Sequence, residues 1–138
     1  MNIVIDSNIL FAALLKDSKV RNIILNYEGY FIFPAYIFEE LTEHMEELIK
    51  KSKLTETEFN KLLHIILRKV IIVPKEMLKP YKEKAIEIIG KIDIDDAVFF
   101  ACALAYENSI IWSDDKKLKN QDKIQVLNTK EIIHTIEK

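Results

Sequence analysis

Short apolar runs alternate with longer amphipathic stretches along nearly the whole chain, and this alternation predicts strands and helices in turn. The run Asn2–Ile5 ends on Asp6, the mark of a buried strand with a polar residue at its carboxyl end. Residues 8–15 and 18–26 read as short helices, the second capped by Ser18 and stopped near Gly29. Residues 30–33 form a second strand closed by Pro34, and residues 35–52 form the helix after it. On a wheel of about 100° per residue, Ile37, Phe38, Leu41, Met45 and Leu48 share one apolar stripe of that helix. Glu39, Glu43 and Glu46 lie opposite, while Glu40, beside His44 and Glu47, falls on the stripe's margin.

Thr55 with Glu58 makes a capping box that opens a helix running to about residue 69. Val70–Val73 is a third strand ended by Pro74, and Pro80 begins a helix that stops at Gly90. Asp93, Asp95 and Asp96 precede residues 97–106, a helix apolar on nearly every side and so predicted to be buried. Residues 110–112 and 125–127 read as the fourth and fifth strands, and Thr129 caps a last amphipathic helix through Ile136. Strands alternating with helices imply an α/β fold with a mainly parallel sheet covered on both faces. Sites in such sheets lie beyond the carboxyl ends of the strands.

Length and composition narrow the chemistry. A chain of 138 residues with 49% hydrophobic residues predicts one domain over residues 1–138 with a substantial core. Its two glycines, Gly29 and Gly90, are too few and too far apart for a phosphate-cradling loop. A single cysteine, Cys102, excludes an internal disulfide and a thiolate zinc cluster. His44, His64 and His134 fit no H-E-x-x-H spacing, and no G-x-S-x-G elbow carries a serine nucleophile. The longest apolar run is far below the roughly 20 residues of a membrane span, and no basic leader opens the sequence, so the expectation is a cytoplasmic protein without a membrane partner.

Charge is uneven along the chain. Residues 1–49 carry 3 Lys+Arg against 8 Asp+Glu, residues 50–84 carry 10 against 4, and residues 85–138 carry 7 against 10. Arginine occurs only at Arg21 and Arg68. Lysine holds phosphate as a point charge, whereas arginine reads base edges bidentately, so any nucleic acid bound here should be gripped through its backbone.

Six of the eight aspartates fall in three groups: Asp6; Asp93, Asp95 and Asp96; Asp114 and Asp115. Two groups follow apolar strands and the third opens the buried helix. Parallel winding can bring all three to one edge of the sheet. Two carboxylates about 4 Å apart repel by roughly 4 kcal/mol at an effective dielectric of 20, so such a cluster requires a proton or a cation. Oxygen donors without a soft ligand select magnesium or manganese, and such an ion suits phosphodiester hydrolysis with no protein nucleophile. Each residue alone also has a plain explanation: Asp6 as a turn former, the helix-opening aspartates as caps, Glu40 as part of a solvated face. His44 reads as a packed or edge histidine, and the lysine runs at residues 50–53 and 116–119 as solubilising charge unless a metal site lies beside them.

Together these residues resemble the PIN-domain family of nucleases, and within it the VapC-type toxins of toxin–antitoxin pairs. The resemblance is carried by Asp6-Ser7-Asn8 after the first strand, by Glu40-Leu41 on the helix after the second, by Asp96-Ala97 opening a helix rich in alanine and large apolar residues, and by Ser113-Asp114-Asp115-Lys116 after the fourth strand. It implies a three-layer α/β/α sandwich, magnesium- or manganese-dependent endoribonuclease activity, homodimerisation and an antitoxin partner. Serine stands at 113 where the family more often has threonine, and Asn108 stands where a glycine often precedes the strand.

The implied ligands are Asp6 at the centre, Asp96 and Asp115 flanking it, and Glu40 binding directly or through water. Asn8, Asp93 and Ser113 would orient them. Asp114 competes with Asp115, and Asp95 with Asp96, for the ligand role. Lysines of the basic middle or of residues 116–119 would guide single-stranded or structured RNA. Haloacid-dehalogenase-like phosphatases need an aspartate where Asn8 stands, and the acidic pair of response-regulator receivers is missing. The reading from a different class is a non-catalytic protein-binding module that keeps this fold.

Overall fold

The computed structural model describes residues 1–16 and 18–137. Its centre is a five-stranded sheet in the order β3-β2-β1-β4-β5, parallel throughout. The strands are β1 (Asn2–Ile5), β2 (Phe31–Pro34), β3 (Val70–Val73), β4 (Ser109–Trp112) and β5 (Val126–Leu127). β1 lies in the middle, with Ile3 opposite both Phe31 and Ile110. Ile3, Val4 and Ile5 are fully buried, as a strand covered on both faces must be.

Helices α1 (Ser7–Ala13) and α2 (Lys19–Asn26) connect β1 to β2, and α3 (Ile37–Ser52) and α4 (Glu56–Leu67) connect β2 to β3. Helices α5 (Lys75–Leu78), α6 (Lys82–Ile89) and α7 (Ala97–Ala105) carry the chain back across the sheet to β4, and α8 (Thr129–Ile136) follows β5. Parallel crossovers are right-handed. Connections running outward from β1 therefore cover one face and the returning connection covers the other, completing the three-layer α/β/α sandwich. α7 lies across β1, β2 and β4 with α6 against it, and Phe99, Phe100, Ala101, Cys102 and Ala103 are buried as its all-round apolar sequence requires.

Three local expectations need correction. The helical segment before Gly90 starts at Lys75, not Pro80: Pro74 ends β3 in an extended conformation and opens α5, and Pro80 sits in a 3-10 turn, Lys79–Tyr81, that links α5 to α6. The cap of α8 is Asn128, whose side chain accepts from the Glu131 N–H at 2.9 Å while Glu131 accepts from the Asn128 N–H at 3.0 Å. Phe38 leaves the α3 stripe and is 52% exposed, because Ile37, Leu41 and Leu48 already fill the contact with the core. Ser18 and the Thr55–Glu58 box cap α2 and α4 as the sequence predicts. Asn108 adopts φ 54°, the left-handed region that asparagine tolerates better than most non-glycine residues.

Candidate metal centre

The strand order reverses at β1 and β4, and the crevice beyond their carboxyl ends is where ligands settle in open α/β sheets. Asp6 leaves β1 there, directly beside Ser113 leaving β4. The Asp6 N–H donates to the Trp112 carbonyl at 3.3 Å, which extends the β1–β4 pairing to the site itself. Asp6 is buried. One of its oxygens accepts from the Ile9 N–H at 2.9 Å and so caps α1; the other accepts from the Ser113 hydroxyl. That hydroxyl oxygen in turn accepts from the Asp115 N–H at 3.1 Å. A single serine thus fixes Asp6 and the backbone of Asp115 in relation to each other.

Asp96 arrives from the other side of the crevice, at the start of α7. Its side chain makes no capping bond, so the plain reading of this residue as a helix cap fails. Asp93 does take the capping role, accepting from the Asp95 N–H at 3.1 Å to start the 3-10 turn Ile94–Asp96. Among the described residues, Asp93, Asp96 and Asp115 each offer a carboxylate oxygen within 4.8 Å of the other two. The mutual set therefore includes Asp93, expected only to orient others, and Asp6 lies beside it rather than at its centre. Lys117 reaches this set with its ammonium 3.4 Å from Asp93, and its backbone N–H donates to Asp115 at 3.1 Å.

The cleft, about 380 Å³, is walled by Asp6, Asn8, Tyr36, Glu40 and Asp96, with Ser7, Asp95 and Phe99 completing it. Glu40 is half-buried in the first turn of α3, while Glu39, Glu43, Glu46 and Glu47 are exposed, which is the distinction its margin position on the wheel predicts. Asp114 turns away. Both its oxygens are bound by Thr129, one by the backbone N–H and the other by the hydroxyl, each at 2.7 Å. The same hydroxyl accepts from the Trp112 indole N–H at 3.0 Å. Asp114 therefore ties the end of β4 to the start of α8, and Asp115 alone of the pair joins the carboxylate set.

Tyr36 was missed by sequence reasoning. Its hydroxyl lies 3.0 Å from the Ser7 hydroxyl, and its ring stacks on Phe33 and tilts against Phe99. Burial and the neighbouring Glu40 carboxylate push its ionisation up, so it acts as a neutral hydrogen-bonding wall. The available signal was its place just after strand-ending Pro34, at the edge where sites form.

Burial and mutual repulsion raise the carboxyls of the site. Burial pushes the Asp6 carboxyl up, against the opposing bonds from Ser113 and Ile9. Burial, then the charges of Asp93 and Asp6, raise Asp96 to about 7. The donor set is all hard oxygen, which fits magnesium or manganese and offers nothing to a soft metal. Cys102 is buried in α7 and its thiol is pushed up to about 12, as expected of a core residue.

The chain matches the family model of the PIN domain over residues 4–134 and belongs to that family. Among solved structures it is similar to a chain in the crystal structure of VapBC2 from Rickettsia felis bound to a DNA fragment from their promoter. The TM-score is 0.66 at 18% sequence identity, covering 93% of this chain and 98% of that one. A comparison with curated proteins finds no match. Among the described residues, no helix is long and apolar enough to cross a membrane.

Proposed function

We propose that this protein is a divalent-metal-dependent endoribonuclease that hydrolyses RNA phosphodiester bonds. The observation that carries the reading is the meeting of Asp93 and Asp96 with Asp115 from a separate segment, where Asp96 also lines a cleft with Asp6 and Glu40. Membership of the PIN-domain family supports it.

Asp93, Asp96 and Asp115 would hold a magnesium or manganese ion, with Asp6 and Glu40 completing the oxygen donors or binding through water. When bound, such an ion neutralises charge on the phosphate and lowers the pKa of a water. The protein's own residues keep the donors aimed. Ser113 holds Asp6 and Asp115, and Asn8 lines the cleft beside Asp6. Tyr36 and Phe99 wall the cleft. With water as the nucleophile and the 3′ oxygen as leaving group, the products are a 5′-phosphate and a 3′-hydroxyl.

The fold likeness to a chain of VapBC2 supports placing this protein as the toxin of a toxin–antitoxin pair with an antitoxin partner; homodimerisation and a cytoplasmic location belong to the same proposal. Co-expression with a neighbouring small reading frame should relieve any growth arrest that expression of this chain alone causes.

The central test is Asp6→Asn together with Asp96→Asn. Each should abolish magnesium-dependent cleavage of RNA while circular dichroism shows the fold retained. Unchanged RNase activity in both would end the proposal. Magnesium or manganese should also raise the melting temperature by mass action, by an amount equivalent to about 2.7 kcal/mol at a hundredfold excess over Kd. A binding module would show neither cleavage nor metal-dependent stabilisation.

A further inference from the structure

A second groove, about 460 Å³, lies next to the acidic cleft on the side of α5, α6 and α7. Tyr36 and Asp95 stand in the walls of both, so the two are immediate neighbours across these side chains. The groove has an apolar floor that includes Leu78, Ile86, Ile94 and Val98, and Lys75, Lys79 and Lys82 along its length. Ile86 and Ile94 are 38% and 54% exposed, leaving apolar surface open beside a site whose own walls are acidic. Asp95, at the seam with the cleft, is the one carboxylate lining this groove among the described residues.

The lysines that stand out as runs in the sequence are partly neutralised: Lys51 pairs with Glu47, Lys117 with Asp93 and Lys119 with Glu131. Among the described residues no carboxylate pairs with Lys75, Lys79 or Lys82. All three are exposed. Their spacing of four and three residues puts them on one face of the α5–α6 segment despite Pro80 between them.

We propose that this groove holds the single-stranded RNA flanking the scissile phosphate, with Lys75, Lys79 and Lys82 taking its phosphates and the apolar floor taking ribose and base faces. The inference rests on the nuclease reading and deepens it. A cleft lined by carboxylates repels a polyanion, so substrate affinity has to come from cations next to it. Lysine supplies that without reading base edges. Bases pack on apolar and aromatic surface without sequence preference, and Tyr36 presents a ring at the seam. Three unpaired cations along an apolar floor complement a chain that carries one anion and one planar apolar face per unit.

The test uses the full chain with Lys75, Lys79 and Lys82 all changed to Gln, checked by circular dichroism. For a dodecameric RNA, the proposal expects KM to rise by about tenfold while kcat falls much less, and preference for the dodecamer over a trinucleotide to shrink. In a salt titration, each lost phosphate contact removes about 0.7 from the slope of log affinity against log salt, so the triple variant should lose about 2. If the native chain cleaves RNA but the variant keeps its KM and salt slope, the groove assignment is overturned and the nuclease reading stands. If the native chain cleaves no RNA with either metal, the nuclease reading itself fails. Ile86→Asp is the second variant. If it leaves the dodecamer KM unchanged and converts a dimer to a monomer in sedimentation, the groove belongs to a protein contact and the proposal is wrong.

Discussion

The Ser113 hydroxyl donates to Asp6 across the junction of β1 and β4, and the same oxygen receives the Asp115 N–H. Residues 107 positions apart are thereby locked at the one place in the sheet where the strand order reverses. Ser113 is 1% exposed, so water cannot replace it.

Ser113→Ala should therefore weaken metal binding by about 10–100-fold, the usual cost of losing a partner that orients a ligand. Calorimetric titration with manganese measures it. The lost bond normally lowers the Asp6 pKa, so the acid limb of the activity profile should move to higher pH. Ser113→Thr, which keeps the hydroxyl, should restore both.

Asp114 and Asp115 are neighbours with opposite expected phenotypes. Asp115→Asn should remove activity with little change in stability. Asp114→Ala breaks both bonds to Thr129 and should cost about 1 kcal/mol, as loss of a helix-start anchor does, with kcat nearly retained. Denaturant melts and cleavage rates of the two variants decide the matter, and a swap of the phenotypes would reverse the assignment.

Metal-free stability should fall as pH rises. Asp6 and Asp96 have folded pKa values above their ordinary 3.8, Asp96 at about 7. Between those values the folded state binds more protons than the unfolded chain, so stability is greatest at the acid end of this window and is lost as pH climbs through it. In EDTA the melting temperature should be higher at about pH 5 than at about pH 8, and saturating magnesium should shrink that difference. A metal-free Tm that rises over this interval would contradict the carboxylate-cluster account.

Lys53 ends α3 at φ 64°, a conformation that costs a residue with a Cβ. Lys53→Gly should stabilise by about 1 kcal/mol, read as a higher denaturation midpoint without change in cleavage.

Strands were legible because a buried strand in a parallel sheet must be a continuous apolar run, as at Ile3–Val4–Ile5; Val70–Val73 carries the same run at the sheet edge, where Ile71 is exposed. Glu40 was legible because a helical wheel separates margin from open face. Helix α5 was not, because Pro74 and Pro80 punctuate a segment too short to show a period. Tyr36 and the triple of unpaired lysines were not, because nothing in a lone tyrosine or a scattered lysine says which groove it lines.

The order of apolar runs, caps and aspartates determined by itself that the chain folds as a parallel α/β sheet with its acidic residues at the strand ends and helix starts, since backbone hydrogen bonding and burial leave few other arrangements for that pattern. Which acids meet was decided only by tertiary packing. Asp114 and Asp115 differ by one residue in sequence, yet Thr129 binds the first from α8 while the second closes on Asp93 and Asp96. The direction of a side chain after a strand depends on what the rest of the molecule brings beside it.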